Sequence, residues 1–150
     1  MSDETDLIKL YSTRILGLAA DIPRLGRLDA PDGSAKKRSP LCGSTVTVDL
    51  NVTDGRISDY AQDVKACALG QASAAVVAAN IIGRTEDEVQ RGRDQLHAML
   101  KENGPVPEAP FDGLEVLQPA RDYKNRHASI LLAFDATLDA LKEARKADCA

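Results

Sequence analysis

Thr45-Val46-Thr47-Val48-Asp49-Leu50-Asn51-Val52 alternates without a break, and these residues decide how the rest of the chain is read. Successive side chains of a strand point to opposite faces. Val46, Val48, Leu50 and Val52 therefore share one side, and Thr45, Thr47, Asp49 and Asn51 the other. One buried and one wet face is the pattern of an antiparallel sheet. Thr53-Asp54-Gly55-Arg56 follows, and Asp-Gly tolerates the positive φ of a tight turn. Ile57 to Lys65 returns with weaker alternation and completes a hairpin. A lone hairpin is marginal in water, so a third strand is expected, either before Cys42 or as part of a meander.

Outside the hairpin the period becomes helical. Leu7 to Ala20 spaces Leu7, Ile8, Leu10, Tyr11, Ile15, Leu18 and Ala19 as a helix does, with Asp6 as its cap. Asp21 to Leu41 is rich in Pro, Gly and Lys and reads as a loop, its basic run Lys36-Lys37-Arg38 included. Ala68 to Ile82 is Ala-rich, of high helix propensity, and so smooth that nearly all of it should be buried; Gly83 ends it. Thr85-Glu86-Asp87-Glu88 is a capping box that opens a helix through about Glu102, and Asn103-Gly104-Pro105 stops it. Pro105 to Asp122 reads as a loop. Tyr123 to about Lys146 reads as the last helix, with Ile130, Leu131, Phe134, Leu138 and Leu141 facing the core. The order suits an α+β fold: a small antiparallel sheet of three strands with helices packed on one face.

The 150 residues argue for a single domain, 1–150. A net charge of −4 disfavours nucleic acid, whose phosphates call for concentrated Lys and Arg. No apolar stretch reaches the ~20 residues of a membrane span. Met1 to Asp6 is acidic and polar, unlike a secretory signal or an Arg-rich transit peptide, so a cytoplasmic protein is expected. Three cysteines, at positions 42, 67 and 149, are odd in number and far apart, which is not a disulfide framework.

Cys42 lies just before the first strand of the hairpin and Cys67 just after the second, so the two thiols should meet in space. Cys67 also opens a helix, whose N-terminal N–H groups and dipole favour a thiolate. Gly43 and Ala68 leave room for an approaching group. The plainer alternative is that each cysteine is a small buried hydrophobe. Cys149 reads as a bystander near a chain end, and His97 as a surface residue in mid-helix. A thiol enzyme with Cys67 as nucleophile and His127 as base would lack a third orienting residue and an oxyanion-hole motif. Phosphate-binding glycine loops are missing too, so no enzymatic activity is expected.

At these residues the chain resembles the IscU/NifU/SufU scaffolds of iron–sulfur cluster assembly, and the resemblance runs from about Leu41 to Leu141. The family's Ala-Cys-Gly-Asp is Leu41-Cys42-Gly43-Ser44 here; its Gly-Cys before an Ala/Ser-rich helix is Ala66-Cys67-Ala68; its His-Cys-Ser-Ile-Leu is His127-Ala128-Ser129-Ile130-Leu131. The long segment Pro105 to Asp122 is nearer the SufU branch. The resemblance implies a SufE/NifU-like fold, an Fe–S cluster or an Fe or Zn ion as cofactor, and a cysteine desulfurase and other assembly proteins as partners, with sulfur arriving as persulfide on Cys42 or Cys67. Two positions depart from the family: Ser44 replaces its Asp, and Ala128 its third Cys. The retained ligands would be Cys42, Cys67 and His127, enough for zinc with an open position. A [2Fe–2S] cluster would draw a fourth ligand from Asp63, Cys149, a partner thiol or a second protomer, which leaves a homodimer open. The alternative is a metal-free pseudo-scaffold that keeps the fold and binds assembly partners such as the desulfurase.

Overall fold

In a computed structural model the described residues are 13–40 and 43–149, without the side chains of 147–149. The alternating stretch forms strand β2, Thr45–Thr53, and its return forms β3, Arg56–Lys65. They pair antiparallel from Thr45 opposite Lys65 to Thr53 opposite Arg56. Asp54 and Gly55 both take positive φ, the turn whose twist matches that of the strands.

The third strand, β1, is Gly33–Arg38, and the sheet order is β1-β2-β3. A strand upstream of Cys42 was one of the two places expected, but the reading of Lys36-Lys37-Arg38 as loop is corrected: all three are in β1, from Lys36 opposite Thr47 to Arg38 opposite Thr45. Charged side chains are typical of an edge strand, where they discourage pairing with other chains. Gly33 is required there, because a Cβ would run into the Ala140 carbonyl of the last helix. The β1–β2 connection is closed by Ser39 and Ser44: the Ser39 N–H donates to Ser44 O at 2.8 Å, and the Gly43 N–H to Ser39 O at 3.0 Å.

The helices are α1 (Thr13–Ala20), α2 (Ala68–Ala79), α3 (Glu86–Lys101) and α4 (His127–Cys149). The expected first helix from Leu7 lies partly outside the described residues, as does its cap, Asp6. α2 stops short of Ile82, where the Asn80 amide donates to the Val76 carbonyl at 2.8 Å and Gly83 turns at positive φ. Both bonds of the Thr85–Glu88 capping box form at the start of α3. The loop expected through Asp122 is corrected: Asp112–Asp122 winds in 3₁₀ turns, with Leu114, Leu117 and Ala120 buried. Their spacing of three is the 3₁₀ period, which stacks them on one side. A second short 3₁₀ turn, Lys124–Arg126, precedes α4, which starts at His127 and not at Tyr123.

α4 packs across β1 and β2 and against α2 and α3. Val46, Val48, Leu50, Ile57 and Tyr60 of the sheet meet Leu69, Val77, Ile130 and Phe134 of the helices in one core. α2 touches α1, β3, α4 and the 3₁₀ segment, so an Ala-rich helix is buried nearly all round, as its smooth surface allows. Among the described residues no helix is long and apolar enough to cross a membrane.

Asp49 departs from the simple two-faced pattern. It lies on the side read as wet, yet it is fully buried. Arg27 Nε donates to it at 2.6 Å and Nη2 at 3.1 Å, the Leu28 N–H donates at 3.1 Å, and the Ser34 hydroxyl donates as well. Burial pushes the carboxyl up, but these bonds and the Arg27 charge outweigh it and hold the carboxyl below its usual range.

Candidate functional site

The site is built where the open end of the β2–β3 hairpin meets the start of α4. Thr45 stands opposite Lys65, so the residues just before β2 and just after β3 are neighbours. Cys67 is the N-cap of α2, half-buried, with extended backbone and no capping bond from its side chain. Its thiol is free of any disulfide and lies 3.6 Å from the Ser129 hydroxyl. Ser129 in turn donates to the Ser44 hydroxyl at 3.1 Å. Both serines are buried. Gly70 makes room for this line of groups: a Cβ there would sit 2.6 Å from Ser129 Oγ.

Cys42 lies outside the described residues. Its successor Gly43 takes a φ of 70°, a conformation that suits glycine. Ser44, two positions along from Cys42, is the far end of the chain Cys67–Ser129–Ser44.

His127 is the first residue of α4 and is buried. Its Nε2 lies 3.0 Å from the Ala120 carbonyl, and its Nδ1 lies 3.2 Å from Lys101 Nζ. An ammonium can only donate, so Nδ1 accepts and Nε2 carries the proton. The ring is neutral: burial and the Lys101 charge hold its pKa below the usual value, against the pull of the Ala120 carbonyl. Ligation by His127 would require one of these bonds to be given up. Asp63 is exposed, opposite Thr47, and the Cys149 side chain is not among those described. Ala128 and His97 line a surface groove together with Lys101. Among the described residues no three of His, Cys, Asp and Glu gather into a group that could hold a metal.

Ser129 and Lys101 escaped the sequence reading. Ser129 was in view within His127-Ala128-Ser129, but its contact with Cys67 spans 62 positions, beyond any local pattern. Lys101 is the last residue of α3, where a cation next to the helix C-terminus needs no further explanation.

Comparisons with known proteins bear on the family and the fold. Residues 10–129 match the family model for the NifU-like N-terminal domain. The iron–sulfur cluster assembly scaffold protein IscU of Thermotoga maritima is 25% identical over 134 residues, covering 89% of this chain and 94% of that protein. The crystal structure of a nitrogen-fixing NifU-like protein (N-terminal) from Brucella abortus superposes with a TM-score of 0.91 at 50% identity, over 94% of this chain and 98% of that one. A scaffold protein for the SUF system from Fervidobacterium islandicum AW-1 superposes at 0.78 over 89% of this chain and 98% of its own, and at 21% identity it speaks for the fold alone. The chain belongs to the NifU-like N-terminal domain family, the scaffolds of iron–sulfur cluster assembly.

Proposed function

We propose that this chain holds iron, zinc or a labile iron–sulfur cluster as cargo on Cys42 and Cys67, with His127 as a third ligand once its ring leaves Lys101. What supports the reading is the line Cys67–Ser129–Ser44, which links the second cysteine to Ser44, the last residue of the first cysteine motif. The sulfur of Cys67 has one long contact, with a neutral hydroxyl, and it stands at the start of a helix, half-exposed. Two thiolates alone hold a metal loosely, which suits cargo that must leave. A further ligand would come from a partner protein, such as the cysteine desulfurase that supplies sulfur, or from a second copy of the chain. The protein works as one cytoplasmic domain and not as an enzyme.

Anaerobic reconstitution tests this directly, read by elemental analysis and UV–visible spectra. The wild type should carry metal near stoichiometry, and Cys67→Ala and Cys42→Ala should lose it, because affinity rests on deprotonated ligands. Metal that stays in both variants would sink the assignment.

One observation favours a second reading. Both nitrogens of His127 are engaged, and Ser44 and Ala128 stand where the family has a carboxylate and a thiol. A metal-free wild type, stable and still able to bind a desulfurase, would mark the chain as a pseudo-scaffold that serves as a binding platform.

A further inference from the structure

A cavity of about 260 Å³ opens between β1, α3 and α4, and its rim is basic. Lys37 and Arg38 at the end of β1 line it together with Arg93, His97 and Lys101 of α3. On a chain of net charge −4, such a concentration of cations has to be explained by placement and not by composition. Some of this charge is answered locally: Lys37 pairs with Asp139 at 3.1 Å, and Arg93 with Asp135 at 3.0 Å. Among the described residues neither Arg38 nor Lys101 has a carboxylate partner. The bond from Lys101 goes to a ring nitrogen of His127 and not to a carboxylate.

The shape narrows the ligand. Arg93, His97 and Lys101 recur every four residues, so they occupy one face of α3 over about 12 Å at 1.5 Å per residue. That is the span of about three to four residues of extended chain, and too long for one phosphate or one carboxylate. α4 supplies Ala128, the buried Leu131 and Leu132 at the base, and one carboxylate, Asp135, which Arg93 already answers. A compact inorganic anion has no use for such a base, whereas a peptide with an apolar side chain between acidic ones does.

We propose that this groove docks an extended acidic segment of a partner protein, its carboxylates on Arg38 and Lys101 and one apolar side chain against Leu131 and Leu132. The place is telling. Arg38 Nη2 comes within 3.9 Å of the position a Cβ of Gly43 would take, so the docked segment ends beside the residue that follows Cys42. A partner held there has Gly43 within reach. The docking itself does not depend on which metal, if any, the cysteines hold.

The test is fluorescence anisotropy with a labelled acidic peptide, acetyl-Glu-Glu-Leu-Glu-Glu, and its all-Gln counterpart, on the full chain. The acidic peptide should bind about tenfold more tightly than the Gln peptide, and more weakly as salt is raised. Arg38→Glu should weaken binding about tenfold with an unchanged circular dichroism spectrum, since Arg38 is exposed. Lys36→Glu changes the net charge equally but lies outside the groove, and should cost less than about threefold. Equal losses in the two variants would overturn the proposal, as would a wild type blind to the peptide. Displacement by phosphate or citrate, with a Leu→Ser peptide binding as well as the original, would make the groove a small-anion site and overturn it too.

Discussion

Two polar clusters flank the same strand pair, and they are built on opposite rules. Asp49 is a buried ion whose bonding capacity is filled by Arg27, the Leu28 N–H and Ser34. Cys67, Ser129 and Ser44 form a line of neutral groups at 3.6 and 3.1 Å, with the sulfur half-exposed. A buried charge left unmatched costs several kcal/mol, so the first cluster has to be closed. A thiol is a weak donor and a weak acceptor, so Cys67 can stay underfilled at little cost. The buried charge of Asp49 is saturated; the thiol of Cys67 has spare capacity.

The largest effect should come from breaking the closed cluster. Asp49→Ala removes an acceptor shared by three residues, Arg27, Leu28 and Ser34, and about 2–3 kcal/mol of stability should go with it. The figure sits at the low end because the Arg27 side chain is 58% exposed and is not stranded without its partner. A melting temperature lower by about 5–10 °C is expected. Site-resolved alkylation of Cys67, followed by mass spectrometry, should proceed at the wild-type rate. A matching change in alkylation would mean that the two clusters are coupled through β2 and that the contrast fails.

The same cluster predicts a pH signature. The Asp49 carboxyl is held below its usual range in the folded chain, so the folded state binds its proton later than the unfolded one does. The resulting stability is complete above the unfolded value, about 3.9, and is lost as pH falls through the folded value. Unfolding free energies of wild type and Asp49→Asn, measured in urea, should differ by about 1–2 kcal/mol at neutral pH and converge in acid. A gap that persists undiminished to about pH 2 would show that the carboxylate charge is not what matters.

Gly70→Ala presses on the open cluster instead. Its new Cβ would meet Ser129 Oγ at 2.6 Å and the Ala66 Cβ at 2.9 Å. Crowding costs about 1–3 kcal/mol, and the better helix propensity of Ala returns about 1. A net loss of about 1 kcal/mol is expected in urea unfolding, together with a changed alkylation rate at Cys67. Unchanged reactivity would show that Ser129 can move aside without consequence for the thiol.

Much of this contrast was legible in the sequence, but unevenly. β2, the Asp54-Gly55 turn and the Thr85–Glu88 capping box declare themselves because their information is local: alternation, positive φ, a spacing of three. β1 hides because an edge strand of Gly-Ser-Ala-Lys-Lys-Arg buries little beyond Gly33 and has no apolar stripe to show. The 3₁₀ run hides because Pro119 reads as a breaker while its apolar period is three. At the site, Cys67 could be placed beside the hairpin end from its position alone. The tie to Ser129 could not, since α4 delivers it from far along the chain, and neither could the double engagement of His127 by Ala120 and Lys101. Asp49 was assigned to a wet face because alternation says which side a residue is on, and not what loop will later cover it.

The smallest change in stability should carry the sharpest reading of the open cluster. Ser129→Ala deletes a hydroxyl that donates to Ser44 and touches Cys67, both over long distances, so less than about 1 kcal/mol should be lost. Its effect on the thiol is another matter. While the sulfur keeps its proton, Ser129 can go on donating to Ser44; once the sulfur is ionised, the same O–H can turn and donate to it instead. A charge-assisted bond of this kind is worth about 1 kcal/mol more than a neutral one, so its loss should slow alkylation of Cys67 about fivefold at neutral pH. Ser129→Thr, which keeps the hydroxyl, should recover most of that rate. An Ala variant that alkylates as fast as wild type would leave Ser129 as packing for the hairpin end.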